Sequence, residues 1–256
     1  MILHTRRMLL GAAVLFAGMT AMVALDPLAQ AAELAPADVA TLIATDSKFI
    51  TATLAAGKSD AKLEKRTMIP LKSSALMVAA YSQAQITGKN AEDDAKYASV
   101  RDNALKVFKA VASKKNADAV APAKALAAME VDKAASLKPV DIVKETKADI
   151  DDLMAQFKKS GLGLEDQIKA LSKKAGKPEE VSAIGARMLI VVDLMETIHP
   201  EFGGKKNQAA WSASSREMKV ASEDLIKAAT TKDAKKMTAA MTKLDASCTS
   251  CHNVFK

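Results

Sequence analysis

Apolar and small side chains recur at alternating steps of three and four along residues 232–256. An α-helix packed in a bundle places such positions on one face, so this spacing predicts a helix that packs on other helices. The pattern recurs at 181–198 and 211–228, and more weakly at 139–158, with a short helical turn at 164–174. Together these segments predict an antiparallel four-helix bundle. The clearest stretch has its inward positions at Ala234, Met237, Met241, Leu244, Cys248, Cys251 and Phe255.

The first half of the chain shows a similar pattern. The inward positions from Tyr97 to Val111 have the same three-and-four spacing as those from Trp211 to Leu225, which lie 114 residues later in the chain. We interpret the two halves as a degenerate internal duplication, with two tandem antiparallel helical bundles. The alternative is that Ala-rich bundles resemble one another without a common origin. The predicted domains are 1–31, 32–135 and 136–256, and the first-half helices are expected at about 36–56, 61–86, 92–113 and 117–134.

Composition supports an all-α fold. Hydrophobic residues make up 49% of the chain, which is enough for a packed core and excludes global disorder. Aromatic residues make up only 4%, whereas strands favour aromatic and β-branched side chains, so an all-β sandwich or barrel is excluded. With only two cysteines, a disulfide-stabilised mini-domain is excluded as well.

Residues 1–31 have the layout of a secretory signal peptide. Arg6 and Arg7 give a positive start, a nearly unbroken apolar stretch follows, and Ala29 and Ala31 supply the small residues of a cleavage site. A retained membrane anchor is the alternative, because the apolar stretch is about long enough to span a bilayer. We expect cleavage near Ala31, export to the periplasm, and no further stretch that could span a membrane.

The charge of the chain gives little support to nucleic-acid binding. The formal net charge is +7, and loss of Arg6, Arg7 and Asp26 with the signal leaves +6 on the mature chain. This charge is spread evenly, with no basic block and no interleaved aromatic residues. A solvated helical surface, with a mild attraction to acidic partners, is therefore expected.

Both cysteines of the chain lie in the segment Cys248-Thr249-Ser250-Cys251-His252. Two cysteines three apart, followed directly by histidine, form the attachment pattern of c-type haem. On a helix, positions i, i+3 and i+4 project from the same side. The two thiols can therefore form thioethers with the haem vinyl groups while the histidine reaches the iron. We predict one covalent haem c held by Cys248 and Cys251, with its iron bound by His252.

Other uses of the cysteine pair are weaker. A thioredoxin-like pair needs a helix N-terminus, whose dipole lowers the thiol pKa, whereas this pair lies at the C-terminal end of a predicted helix. A structural zinc site needs four ligands, and only His199 remains to join the adjacent three. A disulfide would stabilise an exported protein, but it accounts for neither the spacing nor His252.

The last nine residues, Cys248 to Lys256, resemble those of class II cytochrome c, the cytochrome c′ type. That family carries its haem motif at the C-terminus of a four-helix bundle, often followed by an aromatic and a basic residue, here Phe255 and Lys256. Trp211, which opens the third predicted helix, also fits. The resemblance covers roughly residues 139–256.

The chain departs from the family in two ways. It is about twice the usual length, and its first half has Glu130-Val131-Asp132-Lys133-Ala134 where the haem motif would align. That half carries neither thiols nor a ligand, so the 32–135 domain is expected to be a haem-free copy.

The resemblance implies that His252 is the proximal ligand and that the first helix of the bundle faces the opposite side of the iron. Met154 is the nearest methionine on that helix, and ligation by it would favour electron transfer. Met195 and His199 are weaker candidates for a sixth ligand. Core filling is the alternative for both methionines.

Three functions follow from these alternatives. An electron carrier that exchanges one electron with periplasmic redox donor and acceptor proteins is the leading expectation. A five-coordinate haem protein that binds nitric oxide or carbon monoxide in an apolar pocket is the second. An enzyme such as a peroxidase is least favoured, because no acid–base pair is placed above the iron. Members of the family often form homodimers, and here the haem-free half could cover that surface instead.

Overall fold

The computed structural model describes residues 34–56, 65–198 and 205–255. Within these ranges the regular structure is helical and no strand is present, so the all-α prediction is confirmed. The predicted signal peptide at 1–31 and its cleavage position lie outside the described residues.

The N-terminal half contains four α-helices that close a ring around a shared apolar interior. Helix α1 packs on α2, α2 on α3, α3 on α4, and α4 returns to α1. A short 3₁₀ helix leads directly into α4. The bounds are α1 Pro36–Ala56, α2 Lys65–Ala84, α3 Ala91–Ala112, the 3₁₀ helix Asn116–Ala119 and α4 Val120–Ala127.

The C-terminal half closes a second ring of four helices. The last two helices pack along each other across a link of only three residues, 231–233, which makes them antiparallel. The last helix also packs on α7, which in turn touches α8. Helical bundles in both halves are therefore confirmed. The bounds are α7 Leu164–Lys173, α8 Pro178–Ile198, α9 Lys205–Thr230 and α10 Ala234–Phe255.

The single helix predicted over 139–158 is wrong. The structure has two five-residue helices there, α5 (Ile142–Thr146) and α6 (Ile150–Met154). Between them Lys147 adopts a left-handed conformation with φ 52°, which a continuing right-handed helix cannot contain. Asp149 then caps α6 through a reciprocal capping box. The periodicity survives the break, which is why the sequence pattern did not show it.

The fourth helix of the C-terminal bundle is instead α7, for which the sequence indicated only a short helical turn. It begins after Gly163, whose φ of 64° suits a residue without a side chain. Leu164 and Ile168 are its buried positions, one turn apart on one face. Where the halves divide stays a prediction, because one continuous apolar core runs through both of them.

Helix α1 corrects one sequence expectation. Its residues Ala37–Ala56 are long and apolar enough to cross a membrane by length and composition, although no stretch beyond the signal was expected to qualify. A core helix of a globular domain passes the same test. Here the buried face of α1 packs on α2, α4 and α8, and it includes Val39, Ile43, Ile50 and the charged Asp46.

A buried polar network joins the two halves. Oδ2 of Asp46 on α1 lies 2.8 Å from Nη1 of Arg187 on α8, and both side chains are almost inaccessible to solvent. The same guanidinium donates to Oε1 of Gln156 at 2.6 Å, and it lies over the ring of Tyr81 at 5.6 Å. Burial raises the pKa of the Asp46 carboxyl, and the charge of Arg187 opposes that shift.

We predict that Arg187→Met lowers the free energy of unfolding by about 3–5 kcal/mol, because Asp46 is left buried without its counter-charge. Urea denaturation followed by circular dichroism measures the loss. The double variant Asp46→Leu/Arg187→Met should recover most of it, since both charges are then gone. Arg216→Met, at an exposed position of α9, is the matched control and should change stability by less than about 0.5 kcal/mol. A double variant no more stable than the single one would contradict the prediction.

Candidate functional site

Helix α10 carries the cysteine–histidine motif in its last two turns. The helix starts after Lys232, which has a φ of 53°, and the Asp233 carboxylate accepts a hydrogen bond from the amide of Lys236 at 3.0 Å. This cap sets where the helix begins. From there α10 runs against α9 and α7, so its buried face leads directly to the motif.

The three predicted site residues differ in exposure. Cys251 is buried, Cys248 is half-buried and His252 is exposed. Both cysteines are free thiols, so the disulfide interpretation has no support in this structure. Their positions i, i+3 and i+4 on a regular helix give the common side that the motif requires.

A cavity of about 420 Å³ opens beside the motif, a size typical of ligand pockets. It is bounded by α6 and the residues after it, α7, the end of α8, α9 and α10. Apolar side chains form most of the lining, while the charged side chains are mainly exposed at its rim. The lining comprises Ile150, Asp151, Met154, Phe157, Lys158, Glu165, Ile168, Lys169, Met195, Trp211, Met218, Asp245, Cys248, Thr249, Cys251, His252 and Phe255.

The structure brings Met154 and Met195 to this cavity together with the motif. Met195 is buried in the core, whereas Met154 is half-buried, so Met154 is the more accessible of the two sulfurs. Val143 of α5 does not line the cavity. His199, the third candidate ligand, lies outside the described residues.

Two aromatic rings close one side of the cavity. The rings of Trp211 and Phe255 meet edge to face, with centroids 5.1 Å apart, a favourable geometry for aromatic pairs. Trp211 Nε1 donates to the carbonyl oxygen of Met195 at 3.2 Å. These contacts tie α9, α10 and the end of α8 to one another at the site.

Sequence reasoning missed the contribution of α7. Glu165, Ile168 and Lys169 line the cavity from this helix, yet none was placed at the site. The available signal was the spacing of Leu164, Ile168 and Leu171, which puts three apolar residues on one helical face. That pattern covers only about two helical turns. It predicts which face of the helix is buried, but not which residues or which cavity that face contacts.

The electrostatics of the thiols argue against a dithiol redox site. Burial, with the nearby Asp245 carboxylate and Cys251, raises the pKa of the Cys248 thiol to about 12. Burial also raises the pKa of Cys251. Reactive cysteines in redox proteins have lowered pKa values, because the thiolate is the nucleophile. Neutral thiols at the C-terminal end of a helix do not fit that chemistry.

The residues present fit a covalent haem. Two thiols and an imidazole share one side of α10, beside an apolar cavity of ligand size. In the part of the chain that the structure describes, no three His, Cys, Asp or Glu side chains come together as a metal cluster, either at the motif or elsewhere. The donor set is therefore that of an attached prosthetic group rather than of a closed zinc site.

Comparison with protein families agrees with this geometry. Residues 206–256, which comprise nearly all of α9 and the whole of α10, match the family model Cytochrome C'. The match indicates a haem-binding c-type cytochrome in this part of the chain, and the family implies covalent haem c with its iron. Neither the curated proteins nor the solved structures contain a match. The haem-free copy predicted for 32–135 lies outside the matched residues and stays a prediction.

We predict that Trp211→Phe lowers the free energy of unfolding by about 1–3 kcal/mol, because the buried Met195 carbonyl loses its donor. Chemical denaturation of the purified protein measures the change. The matched control is Val220→Ala, at an exposed position of the same helix, which should shift stability by less than about 0.5 kcal/mol. Equal stability of the Trp211 variant and the parent protein would show that the hydrogen bond contributes nothing.

Proposed function

Because residues 206–256 match the family model Cytochrome C', we propose that this protein is an exported c-type cytochrome that carries one electron at a time in the periplasm. One haem c is attached through Cys248 and Cys251, and His252 binds its iron. The observation that carries the proposal is the position of these three residues on one side of α10, beside an apolar cavity.

The residues around the cavity have separate roles in this proposal. Cys248 and Cys251 would hold the haem through thioether bonds, and the imidazole of His252 would bind its iron. Ile150, Ile168 and other apolar side chains exclude water from the cavity. The bound group supplies one-electron iron chemistry. His252 is exposed, so a haem attached here would lie close to the surface, where a redox partner could approach.

The proposed location and partners rest on the sequence. A signal peptide over 1–31 would deliver the chain to the periplasm, the compartment where its redox donor and acceptor proteins would be found. The formal charge of +6 on the mature chain gives a mild attraction to acidic partners. The chain carries out no catalysis in this proposal.

Binding of a small gas is the second candidate function, and one observation favours it. The cavity that meets the motif is lined largely by apolar residues, and Met154 is only half-buried there. If neither Met154 nor Met195 ligates the iron, this space is open to nitric oxide or carbon monoxide. The two functions therefore differ in whether a sulfur closes the sixth position.

We predict that the mature protein, made in a host that attaches haem c, shows the absorption spectrum of a low-spin cytochrome that carbon monoxide does not shift. A sixth ligand from the protein would produce this result and favour electron transfer. Met154→Leu should then convert the protein to a form that binds carbon monoxide, whereas Met218→Leu should not. A high-spin spectrum that shifts with carbon monoxide in the parent protein would favour gas binding instead.

We predict that the double variant Cys248→Ala/Cys251→Ala retains no haem on the polypeptide after denaturing electrophoresis, because both thioethers are lost. Staining for haem peroxidase activity in the gel measures attachment. Thr249→Ala and Ser250→Ala lie within the same motif without supplying a bond, and each should keep the full haem signal. An unattached haem in the parent protein would contradict the proposed function.

A further inference from the structure

One wall of the cavity is formed by residues 150–157, a segment too short to be stable as a helix without tertiary contacts. Ile150, Met154 and Phe157 reach the cavity from α6 and the residues after it. Helix α6 has five residues, whereas isolated helices need about 12–15 residues to be even marginally stable. By contrast, α8, α9 and α10 have 21, 26 and 22 residues. The position of the 150–157 wall must therefore come from tertiary contacts.

Those contacts lead chiefly to the N-terminal half. Helix α6 packs on α2 and on α8, and α5 before it packs on α3, α2 and α8. The ammonium group of Lys72 on α2 forms an ion pair with the carboxylate of Asp152. Asp152 is almost fully buried in this pair, so its charge requires that partner.

Gln156 provides the second attachment, at the other end of the wall. Its side chain is buried, and its amide Nε2 donates to Oγ of Ser74 at 3.3 Å and towards Oδ1 of Asp46 at 3.5 Å. Its Oε1 accepts from Arg187 at 2.6 Å. A primary amide is thus satisfied on both sides by groups from α1, α2 and α8, and any shift of the wall would leave buried polar groups unpaired.

The wall is also connected to α7. The amides of Leu164 and Glu165 donate to the carbonyl oxygens of Gln156 and Phe157, at 3.2 and 3.3 Å. Glu165 and Ile168 of α7 line the cavity as well. A displacement of Gln156 would therefore also move the part of the cavity lining that α7 supplies.

We propose that the N-terminal half acts as the positioning element of the haem cavity. Gln156 and Asp152, held by Asp46, Ser74 and Lys72, determine how far Met154 and Phe157 project into the cavity and so control access of a ligand to the iron. The inference rests on the proposed haem function. It gives the haem-free half a role in the chemistry of the other half, in which Gln156 is a positioning residue that never touches the haem.

The experiment compares carbon monoxide association with the reduced, haem-loaded full chain by flash photolysis or rapid mixing. Gln156→Met keeps the length of the side chain, removes its hydrogen bonds, and leaves the Asp46–Arg187 pair in place. Lys72→Met keeps the aliphatic stem and removes the charge. Each variant should accelerate carbon monoxide association by about 2- to 30-fold, as expected when one member of a coupled network is removed. This fold-change applies if Met154 restricts the site by bulk alone. If Met154 binds the iron, so that the parent does not react with carbon monoxide, each variant should instead gain a carbon monoxide spectrum that the parent lacks.

Two controls separate positioning from general loosening. Tyr81→Phe alters a side chain that contacts Arg187 but keeps the ring over it. Leu126→Ala empties a fully buried position of α4, a helix that packs on α1 and α3 and away from the wall. Leu126→Ala should lower the melting temperature, and both controls should leave the carbon monoxide rate unchanged. Hydrogen exchange should be faster at 150–157 in Gln156→Met, with α9 and α10 unaffected.

The outcomes distinguish this inference from the proposed function. Haem-loaded Gln156→Met and Lys72→Met with the parent's association rate would overturn the inference and leave the cytochrome assignment intact. An equal acceleration in Leu126→Ala would also overturn it, because general loosening would then be the cause. If the parent chain attaches no haem, the proposed function fails and the inference fails with it. Should Gln156→Met not fold, Lys72→Met decides alone.

Discussion

The buried ion pair between Asp46 and Arg187 is the interaction on which the arrangement of this protein depends. Two charges removed from water are tolerated only when each satisfies the other and the remaining hydrogen-bonding groups find partners. Here the guanidinium meets one carboxylate from α1 and the amide oxygen of Gln156, 2.8 and 2.6 Å away. Contacts this short are lost when α1 slides along α8, so the pair restricts the relative placement of these two helices. An apolar contact between the same helices would tolerate sliding, whereas this contact does not.

The same contact is linked to one wall of the cavity beside the cysteine–histidine motif. Gln156 joins the ion pair to the segment that carries Met154, and Lys72 holds the same segment through Asp152. The segment consists of the five-residue helix α6 and the residues that follow it, so its position is set by what surrounds it. The first half of the chain matches no haem motif and carries no thiol, yet in this arrangement it supplies the support that one long helix would supply by itself.

Much of the fold was predictable from periodicity. Helices α8, α9 and α10 follow directly from apolar residues spaced three and four apart, and so does α3. The segment 139–158 was not predictable in this way, because the left-handed residue Lys147 breaks the helix without disturbing the spacing of apolar positions. Helix α7 was predicted only as a short turn because its apolar repeat covers few residues. Its burial comes from packing on α10, a distant contact that the local spacing of apolar residues cannot show.

The spacing of Cys248, Cys251 and His252 was enough to predict that their side chains share one side of a helix, because that property is local. The sequence by itself also determined the helical class, since periodicity is a local property. Which residues complete the cavity depends on tertiary packing, which no local pattern shows. Met154, Ile168, Met195 and Trp211 come from four separate elements, and their meeting depends on how those elements pack. That packing is governed by contacts such as Asp46 with Arg187, whose partners lie 141 residues apart in the chain.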